Sequence, residues 1–151
     1  KDIQLLDITS FLTTGSLPEG GVLTKRKPSQ KEWTDIEFGW KLAKEMGRLD
    51  IGQTVVVKNR AILAVEAIEG TDEAIVRGGA LGSGDVVVVK VAKPDQDMRF
   101  DVPTIGLTTL KSLIQAKARA LAFEAGKTIV LERKRFVDLA NERKIAVVAK
   151  E

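Results

Sequence analysis

The stretch Asp85-Val86-Val87-Val88-Val89-Lys90-Val91-Ala92-Lys93-Pro94-Asp95-Gln96-Asp97-Met98-Arg99-Phe100-Asp101-Val102-Pro103 decides how the chain is read. Its first half is nearly continuous valine. β-Branched side chains suit strands, and an unbroken apolar run is expected of a strand covered on both faces. Such a strand needs helices above and below it, so the expected class is α/β, a mixed sheet flanked by helices. The second half turns abruptly to charge and proline. In open α/β sheets ligands gather outside the carboxyl ends of strands, which makes this polar half the first candidate for a site.

Upstream, Thr71 reads as the cap of a short helix to about Ala80, with Asp72 and Glu73 complementing its dipole. Before it, Thr54-Val55-Val56-Val57 and Ala61-Ile62-Leu63-Ala64-Val65 form a β-hairpin around Lys58-Asn59-Arg60. Ser29 and Glu32 make a capping-box pair behind Pro28. Trp33, Ile36, Trp40, Ala43 and Gly47 then recur every three or four residues, predicting a helix to about Met46. Ile3–Leu6 reads as a short strand, and Lys25-Arg26-Lys27 as a solvated arm. Downstream come a helix through Leu110, Leu113 and Ile114, strands at Ala120–Glu124 and Thr128–Leu131, a helix through Phe136, Leu139 and Ala140, and a last strand at Ile145–Val148. Residues 30–91 and 107–149 thus share the order helix, strand, turn, strand, helix, strand. An internal αββαβ duplication follows on order and length alone, with the polar loop as its joint.

Composition narrows the chemistry. With 151 residues, 44% hydrophobic and 30% charged, residues 1–151 form a single globular domain. The chain has no cysteine and no histidine. Disulfides, thiolate metal sites, serine or cysteine triads and ordinary zinc catalysis are excluded. A net charge of +3 with no tyrosine and two tryptophans argues against nucleic acid as a partner. Acid–base or metal work must rest on carboxylates and lysines.

Lys90, Lys93, Asp95, Gln96, Asp97, Arg99 and Asp101 fall within twelve residues. They pair with each other, dissolve in solvent as a surface loop, or organise around a cation and a phosphorylated substrate. Composition by itself favours the solvated loop. The cation reading is chemically sound, because magnesium takes one or two protein carboxylates and fills its shell with water and phosphate oxygens. Lysine and arginine suit the remaining phosphate charge. An EF-hand is excluded: Arg99 stands at the third ligand position and Gly106 at the twelfth. Glu66, Glu69, Gly70, Thr71 and Asp72 form a second constellation at a strand-to-helix turn; Asp72 is explained by the helix dipole, whereas Glu66 and Glu69 are able to join the loop carboxylates if the hairpin lies beside the valine strand.

The runs Leu49-Asp50-Ile51-Gly52-Gln53, Ala64-Val65-Glu66-Ala67-Ile68-Glu69-Gly70-Thr71-Asp72 and Lys90 to Gly106 resemble the LpxI family, as do Pro18-Glu19-Gly20 and Glu124-Ala125-Gly126. The resemblance implies a UDP-2,3-diacylglucosamine pyrophosphatase of lipid A synthesis, splitting a lipid-linked UDP-sugar into UMP and lipid X. It implies Mg²⁺ or Mn²⁺ as cofactor, water attacking the α-phosphorus, and an essential aspartate placed by motif on Asp97, then Asp101. The metal ligands expected are Asp97, Asp101, Glu66 and Glu69, and the substrate-binding residues are Lys90, Lys93, Gln96, Arg99 and Thr71. Family enzymes hold substrate between two domains. This chain would then be the carboxyl-terminal catalytic half, with the amino-terminal domain absent and the half inactive or weak alone. A cytoplasmic protein with at most peripheral contact at the inner membrane is implied, and a homodimer is compatible. The alternative is a non-catalytic sugar-nucleotide-binding or dimerisation domain.

Overall fold

The computed structural model describes residues 16–98 and 101–151. The strand expected at Ile3–Leu6 lies outside those residues. The valine run forms β4 (Val87–Lys90), and every residue of it is buried. Its two faces meet different partners. Val87 and Val89 pack with Val55, Val57, Ile36 and Ala43, whereas Val86 and Val88 pack with Val56, Ile75, Leu110, Leu113 and Leu121. The alternation of strand side chains divides the core in this way.

Helix α1 (Gln30–Arg48) covers the first face. The capping box is present: the Ser29 hydroxyl accepts the Glu32 N–H at 3.3 Å, and Glu32 accepts the Ser29 N–H at 2.8 Å. Gly39 lets this helix close on the sheet, since a Cβ there would lie 2.8 Å from a Val57 methyl and 3.0 Å from a Val89 methyl. Helices α2 (Thr71–Gly82), α3 (Leu107–Gln115) and α4 (Arg133–Glu142) serve the opposite core through Ile75, Leu110 and Phe136.

The main sheet has six strands in the order β1-β8-β6-β4-β2-β3, where β1 is Gly21–Val22, β2 Thr54–Lys58, β3 Ala61–Val65, β6 Ala120–Glu124 and β8 Ala146–Lys150. Strands β4, β6 and β8 run parallel, while β2 is antiparallel to both β3 and β4, and β1 to β8. A small parallel pair joins β5 (Thr104–Ile105) to β7 (Ile129–Val130). The expected mixed sheet flanked by helices is the fold.

The αββαβ order recurs as α1-β2-β3-α2-β4 and α3-β6-β7-α4-β8. The halves use it differently. A two-residue turn, Asn59-Arg60 with φ of 53° and 57°, forces β2 and β3 into an antiparallel hairpin. In the second half β6 inserts between β4 and β8, and β7 leaves the sheet to pair with β5. Equivalence of the halves stops at element order.

Two local expectations need correcting. Thr71 does not cap α2; Gly70 holds the N-cap position, with no side-chain cap bond, and Thr71 is the first helical residue. The basic arm is docked: Arg26 ion-pairs with Glu32 and donates to the Arg119 carbonyl at 3.0 Å, and the Lys25 N–H donates to Asn141 at 2.8 Å. Lys25 and Lys27 stay exposed.

Candidate functional site

The parallel strands bring Lys90, Glu124 and Lys150 out on one edge of the sheet. Because β2 runs the other way, its first residue, Thr54, pairs with Lys90 there. The Glu66 N–H donates to the Thr54 carbonyl at 2.8 Å, which draws the β3–α2 turn to the same edge. Gly52 permits this closeness, since a Cβ on it would fall 2.0 Å from the Glu66 carbonyl oxygen.

The first group built on this edge centres on Lys90, which is buried. Its ammonium donates to the Thr71 hydroxyl at 2.8 Å, and that hydroxyl donates to Glu66 at 3.1 Å. Burial pushes the Lys90 pKa below the usual lysine range, partly offset by the negative fields of Glu66 and Asp72. One oxygen of Glu66 and one of Asp72 are buried without a hydrogen-bond partner, as is the side-chain oxygen of neighbouring Gln53. Orphaned buried acceptors are costly. They ask for a donor or a cation.

The second group is a cleft of about 380 Å³ lined by Gly47, Arg48, Asp50, Lys93, Asp95, Gln96, Asp97 and Asp101. One wall is the last turn of α1, and the other is the polar loop after β4. The loop is internally organised: the Lys93 N–H donates to the Gln96 side chain at 3.1 Å, and the Asp101 N–H donates to the Asp97 carbonyl at 2.8 Å. Lys93 reaches across to Asp50 on the opposite wall at 2.6 Å. Four carboxylates face two cations in this lining. The carboxyl end of α1 adds partial negative charge of its own. Such a field attracts a cation and repels a bare diphosphate.

Asp97, Asp101, Lys93 and Gln96 therefore share one concavity, and Lys90, Thr71 and Glu66 share the buried knot. Arg99 lies outside the described residues. Glu69 goes elsewhere: Arg77 ion-pairs with it and the Ala67 N–H donates to it at 3.0 Å. The Arg77 hydrogen bond holds its carboxyl below the usual carboxylate range. Among the described residues no three acidic side chains converge tightly enough to cage a metal by themselves. Magnesium needs fewer, and hard carboxylate oxygens in an acidic cleft fit it. Sequence reasoning missed Asp50 as a site residue, although it stands inside a run shared with the family, and read Asp72 as a partner of the helix dipole rather than of Lys90. The burial of Lys90 follows from its place between Val89 and Val91 in a strand covered on both faces.

Among the described residues no helix is long and apolar enough to cross a membrane. Residues 19–148 match the family of the LpxI C-terminal domain. The chain is similar to the UDP-2,3-diacylglucosamine pyrophosphatase LpxI of Caulobacter vibrioides (strain ATCC 19089 / CIP 103742 / CB 15), with 37% identity over 139 residues. That alignment covers 84% of this chain and 48% of the relative, so the chain spans about half the relative's length.

Proposed function

The chain belongs to the LpxI C-terminal domain family, and from that premise we propose that it is the carboxyl-terminal half of an enzyme hydrolysing the pyrophosphate of UDP-2,3-diacylglucosamine. The products are UMP and lipid X. An amino-terminal domain, accounting for the other half of the relative's length, completes the substrate cleft. The observation that carries this reading is the acidic cleft between α1 and the polar loop, where Asp97 and Asp101 stand on one wall and Asp50 on the other.

The residues divide the work by position. Asp97 and Asp101 would hold Mg²⁺ or Mn²⁺ at the cleft, and among the described residues Glu66, its free oxygen buried beside Thr71, does not join them in a three-carboxylate cluster. When bound, the cation supplies charge neutralisation for the diphosphate and polarises its oxygens, chemistry that needs no histidine. Lys93 and Gln96 orient the phosphate side of the substrate from the same loop. Lys90 stays beneath, where its charge balances Glu66 and Asp72 and fixes Thr71 at the start of α2. Glu69, already neutralised by Arg77, contributes least.

Calorimetry with UMP, with and without Mg²⁺, tests the reading on the full-length protein. Binding that tightens with Mg²⁺, together with release of UMP from the UDP-sugar, is expected. Metal-independent binding without turnover would replace the enzyme with a sugar-nucleotide-binding module.

A further inference from the structure

Beneath the cleft lies a carboxylate that does not line it. Glu124 ends β6, the strand between β8 and β4, and its side chain is 9% exposed. It accepts three donors: Lys44 Nζ at 2.6 Å, the Ala92 N–H at 2.8 Å and Lys127 Nζ at 2.9 Å. Two of these belong to opposite walls of the cleft. Lys44 sits on α1, one turn before Gly47 and Arg48, and Ala92 is the residue on which the polar loop leaves the end of β4.

We propose that Glu124 is a positioning residue that sets the spacing of the two cleft walls, and so places Asp97 and Asp101 against Asp50. The proposal rests on the functional reading above. Stability alone does not require an ion-paired carboxylate here, even though the charge of Glu124, once paired, favours the fold. Burying charges is expensive, and a whole ion-paired group replaced by well-packed apolar residues of similar volume is commonly neutral or stabilising. What the carboxylate supplies is a fixed pair of acceptors, one of which is shared by a side chain of one wall and a backbone N–H of the other. The neighbouring cation does not duplicate the tie. Lys150, which pairs with Glu124 in the sheet, turns its ammonium to Glu37 at 3.4 Å and over the Trp40 ring at 5.0 Å.

The test is Glu124→Gln in the full-length protein. An amide keeps the volume, but it has one oxygen for three donors, and its NH₂ group faces donors it cannot serve. Amide hydrogen exchange should speed up through residues 92–98 while β4 and β8 keep their protection. Misplacement of reacting groups by an ångström costs about 100-fold, so kcat/KM should fall about 10- to 100-fold, with more Mg²⁺ required for half-maximal rate. Exchange and kinetics both at parental values would overturn the proposal. Faster loop exchange in a protein whose parent never turns over the UDP-sugar would uphold the tie and sink the functional reading instead. If Glu124→Gln fails to fold, Lys44→Met decides, because it removes the tie to α1 and a 5.9 Å contact with the Trp40 ring of the same helix while leaving the Ala92 and Lys127 bonds to Glu124 in place. It should raise the Mg²⁺ requirement in the same direction, and parental kinetics with parental exchange would reject the proposal.

Discussion

Lys90 and Thr71 are joined by a 2.8 Å hydrogen bond from the buried ammonium at the end of β4 to the hydroxyl that opens α2. The lysine is the counter-charge for Glu66 and Asp72, each of which has one oxygen buried without a hydrogen-bond partner. Replacing Lys90 by Met fills the space but leaves those carboxylates without a cation. The expected loss is about 1–3 kcal/mol, read as a lower urea midpoint with an unchanged slope. A variant as stable as the parent would show that the carboxylates are served by solvent.

Gly52 is predicted to be irreplaceable for a different reason. Even alanine would place its Cβ 2.0 Å from the Glu66 carbonyl, and backbone must move to relieve that contact. Gly52→Ala should cost about 1–3 kcal/mol by overpacking. It should also shift the amide resonances of residues 66–72, displacing Glu66 and Thr71 together. Unchanged resonances there would contradict the packing described.

Asp35 offers a test of the hairpin. Its two oxygens accept the N–H groups of Asn59 at 3.0 Å and Arg60 at 2.7 Å, the turn residues with positive φ. Asp35→Ala strands both donors, and urea titration should show a loss of about 1–3 kcal/mol. Parental stability would mean that the turn holds its shape unaided.

How much of this was legible in the sequence depends on the range of the interaction that decides each feature. The valine run, the capping box at Ser29 and Glu32, and the positive-φ turn are local, and each announced its element within a few residues. Sheet order was not local. Nothing in Ala120–Glu124 says that it will insert between β4 and β8, nor that Ile129–Val130 will leave for β5, so the duplication looked more symmetric than the pairing is. The same limit applied to the site. Asp97 and Asp101 stood out because they are close in sequence. Asp50, on the facing wall, and Glu124, beneath both, belong to the site only through the fold. Glu69 looked equivalent to Glu66 in sequence and differs because Arg77, eight residues on in α2, reaches it.

Acid should act on Glu124 in a defined direction. Burial raises its pKa, but the hydrogen bonds from Lys44, Lys127 and the Ala92 N–H outweigh that and leave it below the ordinary value of 4.5. A depressed folded value means the stabilisation is fully present above the unfolded value and is lost as pH falls through the folded one. Urea midpoints of the parent and Glu124→Gln should therefore differ at pH 7 and converge as the pH falls below 4.5 and through the depressed folded value. A gap that stays constant with pH would show that the charge of Glu124 is not what the three donors recognise.

Asp97 is the residue on which the account of the cleft converges, so its removal in the full-length two-domain protein is the most direct test. Asp97→Asn, assayed for UMP release from UDP-2,3-diacylglucosamine at saturating Mg²⁺, should lose about 10²- to 10³-fold in kcat while its thermal unfolding stays parental. Turnover at the parental rate by a folded Asp97→Asn protein would contradict the assignment of the acidic cleft as the place where the pyrophosphate is cut.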